Sequence, residues 1–176
     1  MPVASTSLPT LLDHRLRIEA ARYVLGALSS DELRDLATEA LLRGTDSRSL
    51  ALLAGAPRCD HPADLRALFE AGLREAGIKL PRRLEAAERL KRHYAGQVAA
   101  GRLAPLTGAH AIIDVYWQIG DELPATKAFV GDEFGIATLY GLFWALDELP
   151  VGDSAYAALE AKLVAACGVI AAGRRA

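Results

Sequence analysis

The stretch Asp132–Leu149, reading DEFGIATLYGLFWALDEL, decides the fold. Between Glu133 and Asp147 it carries no charge, and Thr138 is its only clearly polar side chain. A helix that is apolar all round leaves no face for water and is normally covered on most sides. Asp132 suits its start, where a carboxylate accepts from free backbone N–H groups. Pro150 ends it, because proline restricts the residue before it and cannot continue the hydrogen-bond ladder. Gly135 and Gly141 each cost a helix about 1 kcal/mol relative to alanine. Close approach of a neighbouring helix would offset that cost. The stretch therefore predicts the central helix of an all-α domain.

Working outward, the same periodicity recurs along nearly the whole chain. Residues 1–9 read as a loose tail. Thr10 to Asp13 resembles a capping box for a first helix running to about Leu28, with Leu11, Ile18, Ala21, Leu25 and Leu28 on one face. Ser29-Ser-Asp-Glu32 is a full capping box for a second helix, which Gly44 closes in the left-handed position. Asp46 can cap a short third helix carrying Leu50, Leu53 and Ala54. Pro62 suits the first turn of a fourth, with Asp60 or His61 as its cap and Gly77-Ile78 as its end. Pro81 opens a fifth, with Leu84, Ala87, Tyr94 and Val98 as inner positions. Its Glu85–Arg89 and Glu88–Arg92 pairs have favourable i,i+4 order. A sixth helix spans about Leu106 to Ile119. After the central helix, Gly152-Asp153-Ser154 caps a last one, with Tyr156, Leu159, Leu163, Cys167 and Ile170 on its stripe.

No segment alternates apolar and polar residues over a strand's length, so the expectation is about eight helices in one domain, 10–176, as a bundle or a short solenoid-like array. The echo between Leu33–Gly44 and Leu65–Gly77, offset by 32 residues, fits a helical repeat, and any two amphipathic helices ending in glycine also produce it.

Composition bounds the function. With 52% hydrophobic and 24% charged residues the chain is globular. At 176 residues it buries roughly 70% of its unfolded surface and needs no disulfide or metal to fold. Cys59 and Cys167 lie in no metal-type spacing and read as reduced thiols. The N-terminus lacks a basic region followed by an apolar run, and Glu160 and Lys162 interrupt the alanine-rich Ala155–Ala172 stretch. A cytoplasmic protein without a membrane span is expected. Net charge is −2 and unevenly spread: residues 1–104 hold 16 Lys/Arg and 13 Asp/Glu, residues 105–176 hold 4 and 9. That balance gives nucleic acid no global attraction.

Three candidate sites follow. Ala40–Leu50 has helix-turn-helix spacing, which would turn Ser47, Arg48 and Ser49 toward a DNA groove. Helix capping explains Gly44 and Asp46 equally well. The basic run Lys79–Arg92 can follow phosphates or simply be a solvated, ion-paired helix face. In the second half, His110 and Asp114 share a helix face and can both ligate a divalent cation, as a carboxylate-metal hydrolase requires. Most other carboxylates there are adjacent pairs whose side chains diverge by about 100° on a helix. There is no Gly-rich phosphate loop and no nucleophile elbow, so neither a catalytic residue nor a cofactor is expected. The aromatic residues Tyr116, Trp117, Tyr140, Phe143 and Trp144 are expected mainly in the core. Some would line a groove if the sixth and seventh helices pack together.

The segment Gly101–Ala109, the Leu33–Gly44 helix and the Phe129-Val-Gly131 turn resemble a set of small all-helical bacterial proteins without an assigned activity. That resemblance implies an all-α fold, a bacterial source and, by analogy, a toxin-neutralising or regulatory partner. The residues themselves favour a non-enzymatic interaction module. Its expected surface is acidic, made of Asp121, Glu122, Asp132, Glu133, Asp147 and Glu148. Its expected partner is a basic protein, because residues 105–153 carry eight acidic groups and one lysine beside most of the aromatic side chains.

Overall fold

The structure is a computed structural model that describes residues 8–58, 60–124, 129–150 and 153–173, with the backbone alone for 8–13. Eight α-helices and no strand occur among the described residues, as the sequence predicts: α1 Leu8–Val24, α2 Ser30–Leu42, α3 Arg48–Ala54, α4 Pro62–Glu75, α5 Arg83–Ala99, α6 Pro105–Gln118, α7 Ala137–Asp147 and α8 Tyr156–Ala171. A 3-10 turn, Gly120–Glu122, follows α6. The chain divides into two compact units, Met1–Arg82 and Arg83–Ala176. Residues 1–7 of the expected tail, Cys59 and Gly152 lie outside the described residues.

Several helix ends follow local chemistry. Ser29 and Glu32 form the reciprocal capping box: Ser29 Oγ accepts from the Glu32 amide at 3.3 Å, and Glu32 accepts from the Ser29 amide at 2.8 Å. Gly77, at φ +73°, closes α4: its N–H donates to Arg74 O and that of Ile78 to Leu73 O, with Ile78 buried beyond. His61 Nδ1 caps α4 ahead of Pro62. Other ends differ from expectation: α1 stops at Val24, short of Leu28, and the cap position of α8 is Ala155, with no side-chain cap. α1 is already helical at Leu8, so Thr10 lies inside the helix and is not its cap. Ser47, not Asp46, caps α3, because Ser47 Oγ is the group that reaches the Leu50 amide.

In the first unit, Leu16 and Ala20 of α1 join Leu33, Ala37, Leu50, Leu53, Leu65, Phe69 and Leu73 in one apolar cluster. Polar contacts tie its elements together. Tyr23 donates to Glu70 at 2.6 Å, and Arg34 reaches both Asp31 and the Pro57 carbonyl. Glu75, at the end of α4, reaches across to the start of α3. It accepts from Ser47 Oγ at 2.7 Å, Ser49 Oγ at 2.6 Å and the Ser49 amide at 3.0 Å. Hydrogen bonds to the two hydroxyls, then to the backbone, hold its pKa down to about 2. Ser47 and Ser49 are therefore buried and committed to Glu75. They do not face outward as the helix-turn-helix reading required, and only Arg48 of the three is exposed.

The second unit is organised differently from expectation. α8 lies against α5, α6 and α7, and α5 also packs on α6. The most charged helix, α5, is thus a central one: Ala86, Ala87, Leu90, Ala95 and Val98 are buried. Leu84, expected inside, is 43% exposed. The Asp132–Leu149 stretch is helical only from Ala137. Residues 131–135 form turns, and Gly135 is left-handed at φ +69°, so Asp132 begins no α-helix. Gly141 faces open space and receives no neighbouring helix, and Gly135 serves a turn. Close approach occurs instead at Gly72, whose added Cβ would lie 2.5 Å from Leu50 Cδ2, and at Gly108, whose added Cβ would collide with Val98 Cγ2.

Two predictions follow from these contacts. Val98 is β-branched and buried on α5, so it cannot swing aside for a methyl group at Gly108. Gly108→Ala should lower stability by roughly 1–3 kcal/mol. Gly141→Ala should raise it by up to about 1 kcal/mol, since the position is helical and open. Denaturant titration of the two variants checks the contrast, and equal effects would refute the packing assignment. For Glu75 the folded pKa lies below its ordinary 4.5. Its stabilising contribution is therefore full above the ordinary carboxylate range and is lost as pH falls through about 2. The melting-temperature gap between wild type and Glu75→Gln should be widest near neutral pH and close across that acid window.

Candidate interaction surface

α7 buries one face and presents the other. Leu139, Phe143 and Leu146 point inward at helical spacing, with Ile136 just before them. The opposite face carries Thr138, Gly141, Trp144 and Asp147, all exposed. An apolar composition on every side has thus not produced burial on every side. Trp144 remains 44% exposed, and Trp117, on the neighbouring α6, 58%.

The rings form a chain across the two helices. Trp117 meets Tyr140 edge-on at 6.3 Å between centroids, and Tyr140 meets Trp144 edge-on at 6.1 Å. Each end is anchored to buried rings: Tyr116 lies 4.9 Å from Trp117, and Phe143 5.4 Å from Trp144. Such edge contacts add about 0.5–1.5 kcal/mol per pair beyond area burial. The row is therefore held in place although its outer members are wet. Beside it lies an apolar groove of about 420 Å³, lined by Phe129, Val130, Ala137, Thr138, Tyr140 and Gly141. Phe129, at its edge, is 80% exposed. The expectation that these rings belong mainly to the core holds for Tyr116 and Phe143 and fails for Trp117 and Trp144.

The six carboxylates expected at the surface divide into two groups. Asp121, Asp147 and Glu148 are exposed, and none of them forms an ion pair among the described residues. Helical spacing sets Asp147 and Glu148 one turn beyond Trp144, and Asp121 in the 3-10 turn that follows Trp117. The other three are occupied or recessed. Glu122 accepts from Arg83 Nε at 2.5 Å, while Arg83 also donates to the Gln118 carbonyl. Glu133 accepts from the Tyr116 hydroxyl at 2.5 Å, and Asp132 is half-buried in its turn. Burial first, then the bond to Glu133, pushes the Tyr116 pKa up to about 12. Arg83 is a cation from outside residues 105–153, and a charge count over that segment could not register it.

Lys91 is the residue that sequence reasoning missed. It is 7% exposed, donates to the Phe134 carbonyl at 2.6 Å and Glu88 at 2.8 Å, and lies 4.0 Å over the Phe134 ring. It borders a cleft of about 240 Å³ with Glu88, Arg92, Glu133 and Phe134. The signal was present: Leu84, Ala87, Tyr94 and Val98 make a stripe whose skipped member, one turn after Ala87, is Lys91. The basic run was thus only partly a solvated face.

His110 and Asp114 do meet, with Nδ1 3.1 Å from Oδ2, but both are exposed. No group of three His, Cys, Asp or Glu side chains among the described residues is placed to hold a metal ion. Cys167 is buried, and burial pushes its thiol up to about 11, away from thiolate chemistry. No helix among the described residues is long and apolar enough to cross a membrane. No protein-family model, curated protein or solved structure matches the chain.

Proposed function

We propose that this protein is a non-enzymatic interaction module that binds a basic protein through the outer face of α6 and α7. The observation that carries this reading is the exposed ring row of Trp117, Tyr140 and Trp144 beside the Phe129–Gly141 groove. Tryptophan and tyrosine are the side chains that most often anchor protein interfaces, because they bury a large rigid area at small entropic cost. Asp121, Asp147 and Glu148 supply a negative rim that steers a cationic partner and disfavours a second copy of the same surface. A nuclease toxin, basic because it must hold nucleic acid, has the complementary chemistry, and the module would then act as its neutralising partner.

The test is capture and identification of the partner by the full chain, in parallel with Trp117→Gln/Trp144→Gln. A basic protein recovered with wild type should be lost with the double variant, since each buried anchor contributes about 2 kcal/mol or more. Asp121→Asn/Asp147→Asn/Glu148→Gln should slow association with that protein about tenfold and flatten its salt dependence. Its melting temperature should stay close to wild type, because none of the three is in an ion pair among the described residues. An acidic or neutral partner, or a basic one that still binds the ring variant equally well, would overturn the reading.

A further inference from the structure

We infer that the anchors this surface receives are arginine side chains of the basic partner, each laid on the exposed indole of Trp117 or of Trp144. The inference rests on the basic-partner reading and narrows it. Trp117, Tyr140 and Trp144 touch edge to face, with interplanar angles of 72° and 62°. Centroids about 6 Å apart in this geometry leave no slot between rings for a cation. Trp117 is 58% and Trp144 44% exposed, so a cation reaches these indoles from the solvent side. A guanidinium suits an indole: it is planar, weakly hydrated and stacks on the ring, keeping its N–H groups in its own plane, parallel to the ring, for other partners. Exposed carboxylates lie nearby in sequence, Asp121 in the 3-10 turn after Trp117 and Asp147 with Glu148 at the end of the helix that carries Trp144. A carboxylate within reach of a stacked guanidinium accepts a bidentate pair of bonds from it. An ammonium is a compact, strongly hydrated charge and gains less from the same surface. The protein already holds a cation on a ring internally, with Lys91 Nζ 4.0 Å over Phe134, but there the ammonium is dehydrated and bonded to a carbonyl and a carboxylate.

Labelled octa-arginine and octalysine peptides, titrated into the full chain and followed by fluorescence anisotropy, test the assignment. Octa-arginine should bind tighter than octalysine, by up to about fivefold, the full worth of a cation–π contact at an exposed site. The preference should vanish in Trp117→Leu/Trp144→Leu, while Asp121→Asn/Asp147→Asn/Glu148→Gln weakens both peptides. Trp117 and Trp144 are the chain's two tryptophans, so their emission reports contact in the unmodified protein. Octa-arginine binding must change that emission, and binding that leaves it unaltered overturns the assignment without any variant. Equal affinity for the two peptides sinks the arginine anchor and leaves the basic-partner reading standing. Binding of neither peptide, even at low ionic strength, sinks both.

Discussion

The Lys91 side chain, drawn onto the Phe134 carbonyl and ring, fixes where α7 begins. A buried ammonium must be matched by hydrogen bonds, because an unpaired one costs several kcal/mol. Here a carbonyl from the turn and a carboxylate from its own helix supply them. The carbonyl can do so only while residues 131–135 stay in turns and off the helix. Tyr116, bonded to Glu133 and stacked near Phe134, holds the same turn from α6. With the turn pinned at two points, α7 starts at Ala137, and its rotation sets Leu139, Phe143 and Leu146 inward and Trp144 outward. The exposed ring row is thus downstream of a lysine on another helix.

The first unit solves a comparable problem with opposite charge. α3 has only seven residues, and it packs between α2 and α4 through the buried Leu50 and Leu53. Its free N-terminal amides and two serine hydroxyls are collected by one carboxylate, Glu75, which belongs to the end of α4. A carboxylate at a helix start also meets the positive end of the helix dipole. That single residue turns the apparent helix-turn-helix serines into structural groups. Gly44, Ser47, Ser49 and Leu50 are then accounted for by turns, capping and packing, while Leu42 is 83% exposed.

The uneven charge of the chain takes a different meaning once elements are placed. Glu122 and Glu133 serve Arg83 and Tyr116, so two of the six expected surface carboxylates work inside the second unit. What remains outward, Asp121, Asp147 and Glu148, lies close in sequence to the exposed rings. Carboxylates beside exposed aromatic faces make a surface that attracts cations at long range and packs them at short range.

Local chemistry was legible in the residues alone: eight helices, the Ser29–Glu32 box, the Gly77-Ile78 end and the stripe of α8 all follow from spacing and capping. These are interactions within a few residues, so they are visible in one dimension. Burial of an apolar helix is different. Whether α7 is wrapped or half-covered depends on how many neighbours reach it, and hydrophobicity alone does not count them. For the same reason Gly108, not Gly141, became the close-packing glycine, and Lys91, in the most charged helix, became a buried one. Composition determined that the second half would be helical, acidic and aromatic. Only the tertiary structure decided which rings meet water, because exposure is a property of what stands opposite a side chain and not of the side chain itself.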